Sequence, residues 1–486
     1  MTARAPAVLV AVLVSVAGVA AAAPPADWPA SRADARNSAA VVIDLPAGET
    51  PRAWTFDGSG RTLGYEPGLT IWSPPAIASV AGRPLLVVGS YDRSVYALDA
   101  ATGVRAWRYT TGGAVYAAPI LVREPDGVVV YAASSDRTIY ALDAATGRPR
   151  WVHSVEAYRP SLGGARLEAP AAGAVAGERA IFVAHWVWDR SLGGNLQRAG
   201  VTALHAADGK PLWSRDLGDN QLTAPLYVEV AGRPRLYVGS ANGNLYALDA
   251  ADGRVLWHHT ELDAVRGPPA LLDGPDPLII GASKYGAVRA LDPETGAERW
   301  SFKTGDRVTG SPALFGVGGR TLVAVGSYDR TLYALDAATG APVWRYAARG
   351  GIYSSPAIAG ADGEAPLVVV SAWDHNLHVV SGLDGAARLR RYTGRPLWDV
   401  SGLDESNWSS PIVARLGGRW MAFVGSYDGA LRALPLDESA PSAVRSGANL
   451  GFWLSLPAAL VPLVGLALFL TRRHRRKGPG PRRLHL

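Results

Sequence analysis

The sequence predicts an all-β protein: eight four-stranded antiparallel sheets closed into a propeller, followed by one C-terminal transmembrane helix. Three observations predict it. The pattern Ala-x-Asp-x-x-Thr-Gly-x-x-x-Trp returns about every 44 residues, clearest at Ala97, Asp99, Thr102, Gly103 and Trp107 and again at Ala334, Asp336, Thr339, Gly340 and Trp344. A marker proline, preceded by a small residue or by another proline, recurs eight times, at Pro75, Pro119, Pro170, Pro225, Pro269, Pro312, Pro356 and Pro411. One uncharged run, residues 452–470, precedes a cluster of arginines. A fixed period with four short strands per unit means a closed ring of similar sheets rather than a single-core enzyme.

The N-terminus reads as an address. Residues 1–23 carry Arg4, an apolar run and then small residues suited to signal cleavage. Residues 24–50 are rich in Ala, Pro and Asp and read as a linker. Residues 51–437 hold the repeats.

Each unit reads as four strands. In the sixth, the first strand follows Ser311-Pro312, and residues 322–327 form an apolar second strand. Asp329-Arg330 make a tight turn, residues 331–335 alternate as a third strand, and residues 342–346 form the fourth. The same turn chemistry recurs at Asp92-Arg93, Asp136-Arg137, Asn242-Gly243, Tyr285-Gly286 and Asp428-Gly429, residue types suited to tight hairpins.

The motif residues have structural jobs. Asp99 can accept backbone hydrogen bonds from the turn after it, and Gly103 can adopt a left-handed conformation. Trp54, Trp107, Trp151, Trp213, Trp257, Trp300 and Trp344 are large flat groups able to dock on the next sheet. The eighth unit ends without its tryptophan, whereas residues 52–56 resemble a fourth strand that has lost its unit. That N-terminal strand is expected to complete the last sheet and remove the open edge.

Past the repeats, residues 438–451 read as a second linker. Residues 452–471 are long enough to cross a bilayer, at about 1.5 Å per residue. The tail 472–486 holds Arg472, Arg473, Arg475, Arg476, Lys477, Arg482 and Arg483 with no acid, which places it in the cytoplasm. The expected location is the cytoplasmic membrane, single pass, with the propeller on the extracytoplasmic (periplasmic) side. The net charge of +6 is more than accounted for by this tail, so the body is near neutral and nucleic acid is not an expected partner. The absence of cysteine excludes disulfides, thiolate nucleophiles, cysteine-ligated zinc and a lipidated cysteine anchor.

The repeat resembles the tryptophan-docking motif of the quinoprotein alcohol dehydrogenase-like eight-bladed propellers, the PQQ-repeat family, across about residues 52–436. The first, second, fifth and sixth copies match in full. The fourth has Asp252 for Thr, the third has His205 and Asp208 for Asp and Thr, and the seventh is degraded around residues 379–390. The resemblance implies the fold. For the family's enzymes it also implies a PQQ over the propeller axis with calcium and an Asp base. This chain has short loops and no residue-by-residue match to the calcium ligands, so the expectation is no cofactor. The chain also resembles the lipid-anchored propeller of the outer-membrane barrel assembly machinery, with a helix in place of the lipid.

In a four-stranded meander, the blade-to-blade loops and the turns between strands two and three share one face. The longer insertions, 157–166, 186–200 and 392–406, fall there, and rigid rings carry function on such loops. Aromatic residues gather there too: Trp72, Tyr116, Tyr353 and Trp408 before the marker prolines, and Tyr91, Tyr328, Trp373 and Tyr427 before the hairpin turns. All but Tyr328 are the expected binding residues, since aromatics contribute binding energy at low entropic cost. No catalytic residue and no metal ligand is assigned; the histidines lack metal spacing, and Glu168 and Asn407 read as solvated polar groups. The functional expectation is a binding or scaffold module for a protein, peptide or glycan in the cell envelope, with a PQQ-dependent dehydrogenase of alcohols or sugars as the alternative.

Overall fold

The computed structural model describes residues 39–45, 49–56, 71, 73–155, 165–189, 196–218, 221–260, 264–360, 364–393, 409–425 and 430–437. The expected signal peptide, second linker, transmembrane helix and basic tail lie outside the described residues. Among the described residues no helix is long and apolar enough to cross a membrane.

Eight sheets follow one another along the chain, each an antiparallel meander. Blade one is typical, with strands Ala76–Val80, Arg83–Ser90, Ser94–Asp99 and Arg105–Thr110. The second and third strands are buried almost throughout, while the outer strand alternates between exposed and buried. The inner strands therefore read as near-continuous apolar runs such as Leu85-Leu86-Val87-Val88, because neighbouring blades cover both of their faces.

The marker prolines have a local cause. The residue before six of the eight is Ala or Ser, small enough to let adjacent blades approach at the start of the inner strand; Pro74 and Pro268 stand before the other two. There Ser311 N–H donates to Ser355 Oγ at 2.8 Å, and Ser355 N–H donates to Ser410 Oγ at 3.0 Å, linking blades six, seven and eight. Ser73 Oγ donates to the carbonyl of Ala117 at 2.9 Å between blades one and two.

The docking motif is a two-sided device. Within a sheet, the motif alanine lies opposite the tryptophan of the next strand: Ala97 opposite Trp107, Ala141 opposite Trp151, Ala203 opposite Trp213, Ala334 opposite Trp344. A small residue there leaves room for the indole. Between sheets, each indole N–H donates to a carbonyl in the next blade's motif turn. The distance is 2.8 Å from Trp107 to Ala144, 2.7 Å from Trp151 to Ala206, 3.0 Å from Trp213 to Ala250 and 3.1 Å from Trp257 to Pro293. Trp300 and Trp344 do the same to Ala337 and Gly382, at 3.0 and 2.8 Å. The motif aspartate holds the receiving turn: Asp99 Oδ1 accepts from Thr102 N–H at 2.9 Å and from its hydroxyl at 2.8 Å.

Ring closure follows the expectation. Trp54–Phe56 pairs with Leu431–Pro435 as the outer strand of blade eight, Trp54 lies opposite Ala433, and its indole N–H donates to Ala100 of blade one at 3.0 Å. Two details differ from the expected pattern. Part of the segment read as a linker is a strand, Ala40–Ile43, pairing in parallel with the inner strand Ile412–Leu416 of blade eight. Ala39, Val41 and Ile43 are buried there, so this sheet has five strands and the added strand lies on its axial side, beside the inner strands of blades one and seven. The alternation of buried and half-buried residues along Ala40–Ile43 is the reason it folds: one face meets the core. Blade three also has five strands, because its inner strand is broken into Ala165–Leu167 and Ala171–Val175 around Pro170, both pairing with the long strand Glu178–Asp189.

Candidate functional site

The hairpins between strands two and three build the looped face from a repeated unit. In blade one, Ser90 Oγ accepts from Asp92 N–H at 3.3 Å and Tyr96 OH donates to Asp92 Oδ2 at 2.5 Å. Tyr140 donates to Asp136 at 2.7 Å in blade two and Tyr333 to Asp329 at 2.6 Å in blade six. The carboxylate is thus spent inside the sheet end. Burial, then the bond to the aspartate, pushes the Tyr96 and Tyr140 hydroxyls up to about 12. The next residue turns the chain in the left-handed region: Arg93, Arg137 and Arg330 have φ of 66°, 70° and 72°.

Blade seven varies the unit. His378 takes the tyrosine position, with Nε2 2.9 Å from Asp374 Oδ1 and Nδ1 2.8 Å from the hydroxyl of Tyr346 in blade six. Burial raises the Asp374 carboxyl, but the bond and charge of His378 outweigh it and hold the group below its ordinary range. His375 supplies the left-handed residue, with φ of 65°.

The blade-to-blade loops are tied to these hairpins. Ile352 bridges to Ala372, and Gly305 N–H donates to Asp329 Oδ2 at 2.8 Å. Loop aromatics are therefore held next to hairpin aromatics. Tyr91 and Tyr116 meet edge to face with centroids 5.3 Å apart. Trp373 meets Tyr328 edge to face at 4.8 Å and Tyr353 at 6.5 Å. Tyr91 is 45% exposed and Trp373 41% exposed, while Tyr116 and Tyr353 are half-buried beneath them. Two aromatic clusters thus form, one on blades one and two and one on blades six and seven. The expected residues Trp72, Trp408 and Tyr427 lie outside the described residues.

Tyr328, one of the aromatics before the hairpin turns, completes the second cluster. One member of this face was not assigned from sequence: the Arg307 guanidinium, which lies over the Tyr328 ring at 4.8 Å. Tyr328 occupies the same hairpin position as Tyr91, which is a readable signal; the Arg307 contact joins residues 21 apart across a loop and has none.

The expected insertion at 186–200 is an extension of the blade-three hairpin, Glu178–Asp189 with Leu196–His205. His185, buried at its base, bonds Thr202 Oγ1 at 3.1 Å, and burial lowers its pKa to about 4. The insertions at 157–166 and 392–406 fall largely outside the described residues.

The opposite face carries the docking turns. A groove of about 790 Å³ there is lined by Glu124, Asp126, Asp143, Arg148 and Arg150. Arg150 already pairs with Asp126 at 2.7 Å and Asp143 at 3.2 Å, so the groove is closed on itself electrostatically. A quinone with calcium needs a convergent set of carboxylate and amide oxygens. Among the described residues no three His, Cys, Asp or Glu side chains converge on such a point, and Glu168 accepts the Trp186 indole N–H at 3.2 Å.

Comparison with known proteins gives a consistent picture. Residues 39–195, 197–275 and 284–438 match the model of a family described as outer membrane protein assembly factor BamB. The BamB of Salmonella typhimurium strain LT2 is 38% identical over 85 residues, which is 16% of this chain and 21% of that protein, so the match spans about a fifth of the relative's length. Among solved structures, BamB from Moraxella catarrhalis superposes with a TM-score of 0.50 at 17% identity, over 76% of this chain and 98% of that one. Quinohemoprotein alcohol dehydrogenase from Comamonas testosteroni superposes with a TM-score of 0.62 at 15% identity, over 87% of this chain and 82% of that one. At these identities the structural likeness shows the fold alone.

Proposed function

We infer, from the premise that this chain belongs to the PQQ-repeat propeller family described as outer membrane protein assembly factor BamB, that it is a cell-envelope scaffold holding a protein partner on its looped face. The observation that carries this reading is the pair of aromatic clusters, Tyr91 with Tyr116 and Tyr328 with Tyr353 and Trp373, presented on hairpins that internal bonds hold rigid. Tyr91 and Trp373 are the exposed rings, packed on the half-buried Tyr116 and Tyr353 and the buried Tyr328, and exposed rings on a pre-organised frame bind without a large ordering cost. The similarity to the Salmonella outer membrane protein assembly factor supports an assembly role over a catalytic one.

The apolar run 452–470 and the basic tail support anchorage in the cytoplasmic membrane, with the propeller outside and the C-terminus inside. Alkaline extraction of membranes and protease access to the tail test this part; a tail digested from outside the cell would overturn it.

The binding reading is tested by placing a photo-crosslinking side chain at Tyr91 or Trp373 in the full chain in cells, with Val104 on the opposite face as control. Val104 is 65% exposed, so it reports non-specific capture. Adducts with one defined protein at Tyr91 and Trp373, absent at Val104, support the scaffold. Equal adducts at all three positions, or none at any, overturn it. Dye reduction by alcohols or sugars after addition of PQQ and calcium would replace it with the dehydrogenase reading.

A further inference from the structure

We propose that the looped face takes an acidic extended segment of its partner protein, one that alternates carboxylates with aromatic or apolar side chains. This rests on the scaffold reading and specifies the partner's chemistry.

The charge pattern follows from how the hairpin unit spends its residues. Each Ser-x-Asp-Arg turn contains one acid and one base. The acid is withdrawn: Asp92, Asp136 and Asp329 accept tyrosine hydroxyls at 2.5, 2.7 and 2.6 Å. The base is presented, because the left-handed turn residue stands at the hairpin tip: Arg93 and Arg330 are exposed and Arg137 is half-buried. Arg349, exposed in the loop entering blade seven, adds a fourth cation. Among the described residues none of these four guanidiniums is in an ion pair.

A near-neutral body therefore presents on this face four arginines outside any ion pair among the described residues, while Arg307 lies 3.9 Å from Asp306. The motif aspartates Asp99, Asp143, Asp292 and Asp336 lie at the docking turns, on the other face. There Asp143 pairs with Arg150 at 3.2 Å and Asp292 with Arg299 at 2.8 Å, so an acidic partner meets unpaired guanidiniums on the looped face and mostly paired ones at the docking turns.

The arginines are interleaved with the aromatic clusters. Arg93 is two residues from the exposed Tyr91, Arg330 is two from the buried Tyr328, and Arg307 lies on the Tyr328 ring itself, at the foot of the exposed Trp373. A phosphate backbone calls for a continuous basic stripe. A guanidinium beside an exposed ring suits instead a polypeptide whose carboxylates and apolar side chains alternate, since an extended strand presents neighbouring side chains in turn.

The test uses the full-length protein in detergent and a fluorescein-labelled peptide of about a dozen alternating Glu and Tyr residues, read by anisotropy. A Gln-Tyr peptide of equal length is the comparison. The expected result is roughly tenfold tighter binding of the Glu-Tyr peptide, weakened by salt as exposed charge pairs are screened. The triple variant Arg93→Glu, Arg330→Glu, Arg349→Glu should remove that preference while leaving Gln-Tyr binding unchanged. Because the three side chains are exposed, far-ultraviolet circular dichroism and the melting curve should match the parent, and Arg→Gln at the same positions gives an intermediate result. Equal affinity for the two peptides overturns the inference, as does full preference in the triple variant. So does displacement of the peptide by anionic phospholipid vesicles with no protein adduct in cells. Adducts at Trp373 with no peptide preference would sink this inference and leave the scaffold standing; the loss of both would sink the scaffold too.

Discussion

The indole N–H of Trp107 donates to the carbonyl of Ala144 at 2.8 Å, and Gly147 lies against the face of the same ring. A Cβ on Gly147 would stand 2.7 Å from Trp107 Cδ2, at a φ of 72° that side chains rarely adopt. Gly147→Ala should therefore destabilise the ring by about 2–4 kcal/mol, combining left-handed strain with crowding. Trp107→Phe keeps a ring but loses the bond, and should cost less, about 1–2 kcal/mol. Denaturant titration ranks the two; the reverse order would contradict the docking geometry.

Among the described residues the junction between blades seven and eight has no docking tryptophan. Leu389 stands opposite Val379, where other blades place tryptophan opposite alanine. On the receiving side Leu436 is buried where the other turns carry a smaller residue. Glu364 bridges the gap, accepting the Trp420 indole N–H at 3.0 Å and pairing with Arg415 at 3.0 Å. Glu364→Ala should cost only about 1–2 kcal/mol, since the pair is partly exposed. Amide exchange should nevertheless rise first in Ile412–Leu416 and Ala387–Tyr392. Uniform exchange around the ring would show that this seam is no weaker than the rest.

His185 is 3% exposed and is held neutral by burial, with a pKa of about 4 against 6.5 for a free imidazole. The folded-state value is depressed, so the unfolded chain binds a proton that the folded chain refuses. Its contribution is complete above pH 6.5 and is lost as the pH falls toward 4, on the order of 3 kcal/mol over that window. Melting temperatures between pH 7.5 and 4.5 should fall less steeply in His185→Gln than in the parent. An identical slope would remove His185 from the acid response.

Val41 and Ile43 are buried on the axial side of blade eight, and the Val413 N–H donates to Ala39 O at 2.9 Å. Ile43→Ala should cost about 2–5 kcal/mol, the range for a truncated core aliphatic. A silent substitution would return residues 40–43 to the status of a linker.

Much of the ring was legible. The tryptophan and proline periods count the units, and the orphan Trp54 strand announces its own destination because it carries the missing motif residue. The strand Ala40–Ile43 was not legible. It is four residues long in an Ala- and Pro-rich stretch, and its partners Val413–Leu416 lie more than 370 positions away. The aromatic face was half legible. Residue type and hairpin position picked out Tyr91 and Trp373, but nothing along the chain says that Tyr116 and Tyr353 lie half-buried beneath them.

The sequence by itself determined the number of blades, the way they dock and the point at which the circle shuts. Those features repeat, and each depends on contacts within a unit or with the next one. Tertiary structure alone decided which charges remain available. Asp92 and Arg93 are adjacent and look like a neutral pair, yet folding brings Tyr96 to the aspartate and leaves the arginine at the tip. The reason is physical: a carboxylate at the end of a sheet is stabilised by a buried hydroxyl, whereas a guanidinium on a left-handed turn is driven outward to water.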